Sequence, residues 1–101
     1  MDYFNSSSNS EIAKAIKEKT LTYLYYQNAP LHYRFKEFVS ISSHKPGAAV
    51  NFDTAQAMAN YNISSRSPEE RQRFSDDLQH YQNLLFNTYK RVKRDMLALC
   101  N

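Results

Sequence analysis

The sequence predicts an all-α fold, a small bundle of three to four helices built along a long C-terminal helix. The first observation is an apolar stripe in the last third of the chain, whose members share a helical face about 80° wide. The second is a shortage of turn residues: one Gly and three Pro among 101 residues disfavour a β-sandwich or barrel. The stripe comprises Phe74, Leu78, Tyr81, Leu85, Tyr89, Val92, Met96 and Leu99.

The N-terminal end is expected to be a flexible polar tail, residues 1–10, followed by a single helical domain over residues 11–101. A run of Asn and Ser fills the end of the tail. Asn9 or Ser10 suits the N-cap of a first helix over about residues 11–27. The predicted buried face of this helix is about 120° wide. It comprises Ile12, Ala13, Ile16, Thr20, Tyr23, Leu24 and Gln27.

Pro30 marks a break after the first helix and suits the first turn of a second, over about residues 30–42. A short strand is the alternative, because apolar and polar residues alternate from Leu31 to Phe35. The spacing of the apolar residues after Phe35 favours the helix. Its predicted inner face comprises Leu31, Phe35, Phe38 and Val39.

Residues 42–47 are expected to form a loop, which holds the only Gly of the chain. A shorter third helix should follow. Asp53 suits its N-cap, and several alanines favour a helix that ends near residue 60. Residues 60–67 are polar and typical of a turn.

The start of the long helix is marked by Ser67, Pro68 and Glu70, which suit the N-cap, the first helical position and the reciprocal partner of a capping box. No Gly or Pro follows, so one helix is predicted over about residues 68–99. The apolar stripe repeats every 11 residues or so, a period that keeps it straight or slightly right-handed. A left-handed coiled coil along the whole helix is therefore disfavoured.

The length of this helix predicts a partner. At a rise of about 1.5 Å per residue the helix extends roughly 48 Å, whereas a compact chain of this size resembles a sphere about 33 Å across. Each apolar side chain left exposed on the overhang would forgo roughly 1.5–3 kcal/mol. We therefore expect a second copy of the chain or another protein to cover the apolar residues of the overhang, which are Val92, Met96, Leu97 and Leu99. The alternative is a helix that kinks near residues 87–88 and folds back into a monomeric bundle.

Lys90, Arg91, Lys93 and Arg94 form a basic cluster on the face opposite the stripe and are the possible anion-binding residues. A basic helix face can follow phosphates while nearby tyrosines stack on bases. The competing interpretation is a solvated face that complements the C-terminal end of the helix dipole. Acidic residues earlier on the same helix interrupt a continuous phosphate track. The net charge of +3 permits an anionic partner without requiring one.

No motif indicates an enzyme, a cofactor or a metal site. The histidines lack ligand spacing and Cys100 is the only thiol, so a structural zinc site is disfavoured. One Gly is too few for a phosphate-binding loop or a dinucleotide fingerprint. A helix-turn-helix around residues 57–64 fits poorly, because Pro68 would fall in the core of its second helix. We expect a non-enzymatic protein without a cofactor.

The sequence also predicts a compartment. A lone cysteine favours a reducing environment. The N-terminal residues lack the basic and apolar regions of a secretion signal, and no apolar run approaches the length of a membrane span. We expect a cytoplasmic protein that does not contact a membrane.

Eight tyrosines are the remaining unusual feature. Tyr23, Tyr81 and Tyr89 lie on apolar stripes and are expected in the core. Tyr25, Tyr26 and Tyr33 fall off the stripes. Tyrosine is a favoured interface residue because it is large, rigid and amphipathic. The alternative is broad burial of these rings within a small bundle. The predicted protein-interface residues are Leu21, Tyr25, Tyr33, Tyr89, Val92, Met96 and Leu99.

These features favour a small intracellular binding protein of the adaptor, chaperone or inhibitor type, which acts through a helical surface of Tyr, Leu and Phe. Its partner would be another protein, a second copy of the chain, or both. The alternative function is that of a nucleic-acid-associated regulator, which would use the basic cluster.

Overall fold

The computed structural model describes residues 6–44 and 47–99, and their side chains over residues 11–41 and 50–98. Four α-helices dominate this part of the chain: α1 (Ser6–Gln27), α2 (Ala29–Phe35), α3 (Thr54–Tyr61) and α4 (Pro68–Leu99). A hairpin of two antiparallel strands, β1 (Val39–His44) and β2 (Gly47–Phe52), separates α2 from α3. The all-α prediction with a long C-terminal helix is confirmed, with one small sheet added.

The first helix begins at Ser6, about five residues before the predicted start. Ala13, Ile16 and Leu24 are buried, as the apolar pattern predicts, together with Thr20. Tyr23 was expected in the core and is 43% exposed, because it lies at the edge of the buried face. Gln27, in the last turn, donates from Nε2 to Thr88 Oγ1 at 2.9 Å.

The break between the first two helices is confirmed. Asn28 caps α2 by accepting a hydrogen bond from the Leu31 N–H at 3.2 Å, and Pro30 lies in the first turn. The predicted extension of this helix to residue 42 is wrong. The helix ends at Phe35, a short 3₁₀ turn follows over Lys36–Phe38, and β1 begins at Val39.

Alternation explains why a strand replaces the end of the predicted helix. From Val39 the β-branched residues alternate with serines, the pattern of a half-buried strand. Val39 pairs with Phe52 and Ile41 with Val50, so apolar residues meet across the hairpin. The predicted loop over residues 42–47 is therefore wrong at both ends. Strand β1 continues to His44, and strand β2 begins at Gly47. Residues 45–46 lie outside the described part of the chain.

The third helix starts as predicted. Asp53 Oδ1 accepts a hydrogen bond from the Gln56 N–H at 3.0 Å, and the helix ends at Tyr61, within one residue of the prediction. Asn62 follows in the left-handed region, with φ of 55°. Asparagine tolerates this conformation better than most residues. A 3₁₀ turn over Ile63–Ser65 then leads to the long helix.

The capping box of α4 is confirmed. Ser67 Oγ accepts from the Glu70 N–H at 3.2 Å, and the Ser67 N–H donates back to Glu70 Oε1 at 3.4 Å. The helix runs without interruption from Pro68 to Leu99, so the kink considered near residues 87–88 is not present. Six members of its apolar stripe are buried and Met96 is half-buried. The side chain of Leu99 lies outside the described residues.

Two buried clusters lie along α4. The larger joins it to α1, α2, α3 and β1, and comprises Leu24, Leu31, Phe35, Val39, Ala57, Phe74, Leu78, Tyr81 and Leu85. The smaller comprises Ala13 and Ile16 of α1 with Tyr89 and Val92 of α4. Val50 of the hairpin packs against both clusters and connects them.

The shape of the molecule corrects the argument from helix length. The described residues extend 56 × 23 × 15 Å, with a radius of gyration of 15.6 Å against about 13 Å for a compact chain of this size. The assumption of a spherical body is therefore wrong. Because α1 lies against α4, the chain's own residues bury Tyr89 and Val92, and these two side chains do not require a partner. Within the described residues, every helix is too short or too polar to cross a bilayer.

Candidate functional site

The two most exposed aromatic residues of the described chain, Tyr26 and Tyr33, lie where α1 meets α2. Tyr26 is 75% exposed and Tyr33 60%, and Tyr25, whose ring contacts both, is 40% exposed. Only Asn28 separates the two helices, so the last turn of α1 and the first turns of α2 bring these rings together. We call Tyr25, Tyr26 and Tyr33 the tyrosine surface.

Tyr25 is in ring contact with both of the other tyrosines. The Tyr25 and Tyr26 ring centroids are 5.4 Å apart with an interplanar angle of 67°, and those of Tyr25 and Tyr33 are 5.7 Å apart at 83°. Edge-to-face contact is one of the preferred geometries of aromatic pairs. Tyr25 therefore contacts both of the other rings in a favourable orientation.

The tyrosine surface forms one wall of a shallow groove of about 380 Å³. Lys36 lies at its rim, with Nζ 4.7 Å from the centre of the Tyr33 ring, in a cation–π contact. Lys36 is the only lysine, arginine, aspartate or glutamate among the residues that line this groove. The lining comprises Leu21, Thr22, Tyr25, Tyr26, His32, Tyr33 and Lys36.

A buried polar pair supports the groove from below. His32 is 6% exposed and its Nδ1 lies 3.1 Å from the hydroxyl oxygen of Tyr81. Burial lowers the pKa of His32, and the nearby Lys36 charge lowers it further. Burial raises the pKa of Tyr81, so its hydroxyl keeps its proton and can donate to the neutral imidazole. The pair satisfies both buried groups and fixes the His32 ring beneath Tyr25, 6.5 Å away.

A second groove, of about 470 Å³, opens on the other side of Tyr26, between α1 and α4. Tyr23 and Tyr26 supply its aromatic wall, and Arg91 and Asp95 supply one charge of each sign. The hydrogen bond from Gln27 to Thr88 crosses part of its lining. The lining comprises Tyr23, Tyr26, Gln27, Thr88, Arg91, Val92 and Asp95.

The predicted interface residues separate into two groups. Tyr25 and Tyr33 are exposed, and half-buried Leu21 lines the first groove beside them. Tyr89 and Val92 lie instead in the smaller buried cluster. Met96 is half-buried against that cluster, and the side chain of Leu99 lies outside the described residues.

Tyr26 is absent from the predicted interface although it is the most exposed aromatic residue described. The signal for it was available in the run Tyr23-Leu24-Tyr25-Tyr26. Four consecutive large residues surround a helix on every side, so one of them must point away from the core. Leu24 is buried, and Tyr26 points away.

The basic cluster is largely exposed. Lys90, Arg91 and Arg94 face solvent, and Lys93 is half-buried with Nζ 5.6 Å from the centre of the Tyr89 ring. Arg94 Nε lies 3.2 Å from Asp95 Oδ1, in an exposed ion pair. Arg91 alone of the four lines a groove, the second, beside Tyr23 and Tyr26.

The groups at the first groove are suited to binding. The groove offers aromatic faces, hydroxyl groups and one cation. Its histidine is buried and hydrogen-bonded to Tyr81. Across the described residues, no group of three or more His, Cys, Asp or Glu is arranged to hold a metal ion. Comparisons of the chain with protein-family models, with curated proteins and with solved structures gave no match.

Proposed function

We propose that this chain is a non-enzymatic, cytoplasmic protein-binding regulator of the adaptor, chaperone or inhibitor type, and that the tyrosine surface contacts its partner. The observation that carries the proposal is the group of three exposed rings in which Tyr25 makes edge-to-face contacts with both Tyr26 and Tyr33. Isolated exposed aromatic residues need no explanation, but a contiguous and ordered group marks a binding surface.

Energetics favour contact with a partner at this surface. Burying a large apolar side chain contributes roughly 1.5–3 kcal/mol, and tyrosine is among the residues most enriched at interface hot spots. Tyr25 contacts Tyr26, Tyr33 and His32, so part of the side-chain entropy that binding would cost is already lost at Tyr25. Half-buried Leu21 extends the apolar area at the groove floor.

Peptide selection tests the proposal and does not require an identified partner. The full chain would be immobilised, a random peptide library selected on it, and the affinity of the enriched peptides measured for variants. Tyr25→Ala and Tyr33→Ala should each weaken binding by about tenfold or more, the loss expected for a hot-spot aromatic residue. The melting temperature should change by less than about 4 °C, because exposed rings contribute little to the core.

Phe86→Ala is the matched control, since Phe86 is a partly exposed aromatic residue that lines neither groove. This variant should bind the selected peptides like the unmodified chain. If it loses as much affinity as the tyrosine variants, the tyrosine surface is not the site. If the tyrosine variants instead lose much of their thermal stability, these rings serve packing.

Nucleic-acid binding is the second candidate, and one observation favours it. Arg91 lines the second groove beside Tyr23 and Tyr26, an arrangement that offers a cation for phosphate and rings for base stacking. The ion pair between Arg94 and Asp95 weighs against it, because it neutralises one of the four cations locally.

Salt dependence separates the two functions. Single-stranded nucleic acid bound by the basic cluster should be released steeply as salt rises, and Lys90→Glu with Arg91→Glu should abolish binding. Arg71→Glu is the matched control, since Arg71 is an exposed cation near the other end of the same helix. Peptide binding at the tyrosine surface should respond weakly to salt. Failure of an oligonucleotide to bind at low salt would reject the second candidate.

A further inference from the structure

We infer that the first groove binds an extended, proline-rich segment of another protein in the polyproline II conformation, with an acidic residue beside it. The inference rests on the proposed function and names the chemistry of the partner. It is argued from the elements that line the groove, from the spacing of the rings, from the hydrogen-bonding groups and from charge.

The lining favours this mode of peptide recognition over two others. Strand addition needs a free sheet edge, but the described residues that line this groove belong to α1, α2 or the 3₁₀ turn after α2. Helix docking uses a hydrophobic groove for bulky anchor residues, whereas this groove is shallow and Leu21 is the one aliphatic hydrocarbon side chain among the described residues that line it. Polyproline recognition uses shallow grooves walled by aromatic rings, which is what this surface provides.

The spacing of the rings suits a polyproline II helix. The two centroid separations from Tyr25, 5.4 and 5.7 Å, place Tyr26 and Tyr33 no more than about 11 Å apart, and one turn of polyproline II rises about 9 Å. Little more than one turn of the ligand is therefore enough to contact all three rings. Its proline rings can pack against the exposed Tyr26 and Tyr33 rings.

Hydrogen-bonding groups are also complementary. Within the described residues, the hydroxyls of Tyr25, Tyr26 and Tyr33 form no hydrogen bond to another residue. A polyproline segment has no internal hydrogen bonds and its prolines have no N–H, so its backbone offers only acceptors. Tyrosine hydroxyls and the Lys36 ammonium group are donors that can satisfy those carbonyl oxygens.

The charge of the groove predicts the sign of the charged residues next to the proline segment of the ligand. Among the described residues that line the groove, Lys36 provides the only formal charge and none carries a carboxylate. An aspartate or glutamate next to the proline segment would pair with Lys36, and a lysine or arginine there would be repelled. The segment is preformed in solution, so binding costs little backbone entropy.

Fluorescence polarisation with defined peptides tests the inference on the full chain. The probes are a labelled proline decamer, the same decamer flanked by aspartates or by lysines, and a decamer in which alanine replaces every second proline. The aspartate-flanked decamer should bind most tightly and the alanine-substituted decamer should not bind. Tyr26→Ala and Tyr33→Ala should each weaken binding at least about tenfold, and Phe86→Ala should not.

Two further variants separate the contributions. Tyr33→Phe keeps the ring and removes the donor, and it should weaken binding by about fivefold, the effect of one hydrogen bond. Lys36→Glu should reverse the preference, so that the lysine-flanked decamer binds more tightly than the aspartate-flanked one. Equal binding of the proline and alanine-substituted decamers, or none of either, overturns the inference.

The outcome also distinguishes this inference from the proposed function. If library-selected peptides bind through Tyr25 and Tyr33 but contain no proline segment, the inference fails while the proposed function stands. If the selected peptides bind the tyrosine variants as tightly as the unmodified chain, both the inference and the proposed function fail. Self-association detected by sedimentation and lost in Tyr33→Ala would assign the groove to a second copy of the chain, and it would overturn the inference.

Discussion

His32 is the residue on which the geometry of the first groove depends most directly. It is buried, it contacts Tyr25 and Tyr33 above and the Tyr81 hydroxyl below, and it lies next to the charge of Lys36. Protonation of the imidazole would place a second positive charge in a site with little water. It would also turn Nδ1 into a donor, so that the Tyr81 hydroxyl proton would have to rotate away.

Stability is therefore expected to depend on pH through His32. Burial and Lys36 hold its folded-state pKa below the ordinary value of 6.5, so the unfolded chain takes up this proton at a higher pH than the folded chain does. The part of the free energy of unfolding that depends on neutral His32 is fully present above pH 6.5. It is lost as the pH falls below that value and levels off below the folded-state pKa.

Thermal unfolding between about pH 7 and about pH 5.5 measures this effect. His32→Gln should show a shallower fall in melting temperature over that range than the unmodified chain. His80→Gln, which replaces an exposed histidine of α4, should retain the full slope. A slope that is the same in His32→Gln and in the unmodified chain would contradict the prediction.

Residues that surround a helix are the ones for which sequence alone is least decisive. Periodicity identified Ala13, Ile16 and Leu24 as core, but it also placed Tyr23 there, at the edge of the same face. The exposure of a side chain at the edge of a buried face depends on how far the neighbouring helix extends over it. The sequence pattern of a single helix does not contain that information. The ring contacts of the tyrosine surface likewise depend on the angle between α1 and α2, which the one-residue connection at Asn28 sets.

At the scale of elements, local signals located the starts of α2, α3 and α4, whereas the N-cap predicted at Asn9 or Ser10 was wrong because α1 already begins at Ser6. Asp53 and Ser67 each accept a hydrogen bond at a helix start, as the sequence predicts. The sequence predicted a break next to Pro30, and Asn28 caps the helix that follows it. The hairpin was missed for a physical reason. Its strands are stabilised by pairing between Val39 and Phe52, and between Ile41 and Val50, contacts that a local window cannot contain.

The cap of α4 gives a prediction for a single element. Ser67→Ala removes the acceptor for the Glu70 N–H and should destabilise the fold by about 1 kcal/mol, or roughly 4–8 °C in melting temperature for a chain of this size. Ser75→Ala is the matched control, because Ser75 is exposed within the same helix and alanine has the higher helix propensity. The control should be neutral or slightly stabilising. Equal losses in both variants would show that the cap does not matter.

The whole molecule is an elongated body in which one long helix is covered along much of its length by the rest of the chain. The tyrosine surface lies on the α1–α2 side of this body, and the exposed cations of the basic cluster lie on the C-terminal part of α4. Helix length was read correctly from sequence. How much of the long helix the rest of the chain buries was not predicted correctly, since this depends on α1 lying against α4.

This arrangement predicts how Val92 acts. Val92 belongs to a buried cluster formed by residues of one chain, so Val92→Ala should destabilise the fold by about 1–3 kcal/mol. The loss should be the same in dilute and in concentrated protein, because a contact within one chain is independent of concentration. Stability that came from a second copy would rise with concentration by mass action.

Leu97→Ala is the control, since Leu97 is half-buried on the same helix but belongs to neither buried cluster. Its loss should be clearly smaller than that of Val92→Ala. Melting temperatures over a hundredfold range of protein concentration would measure both effects. Two results together would show that Val92 lies at an interface between chains. The melting temperature of the unmodified chain would rise with concentration, and the loss caused by Val92→Ala would disappear on dilution.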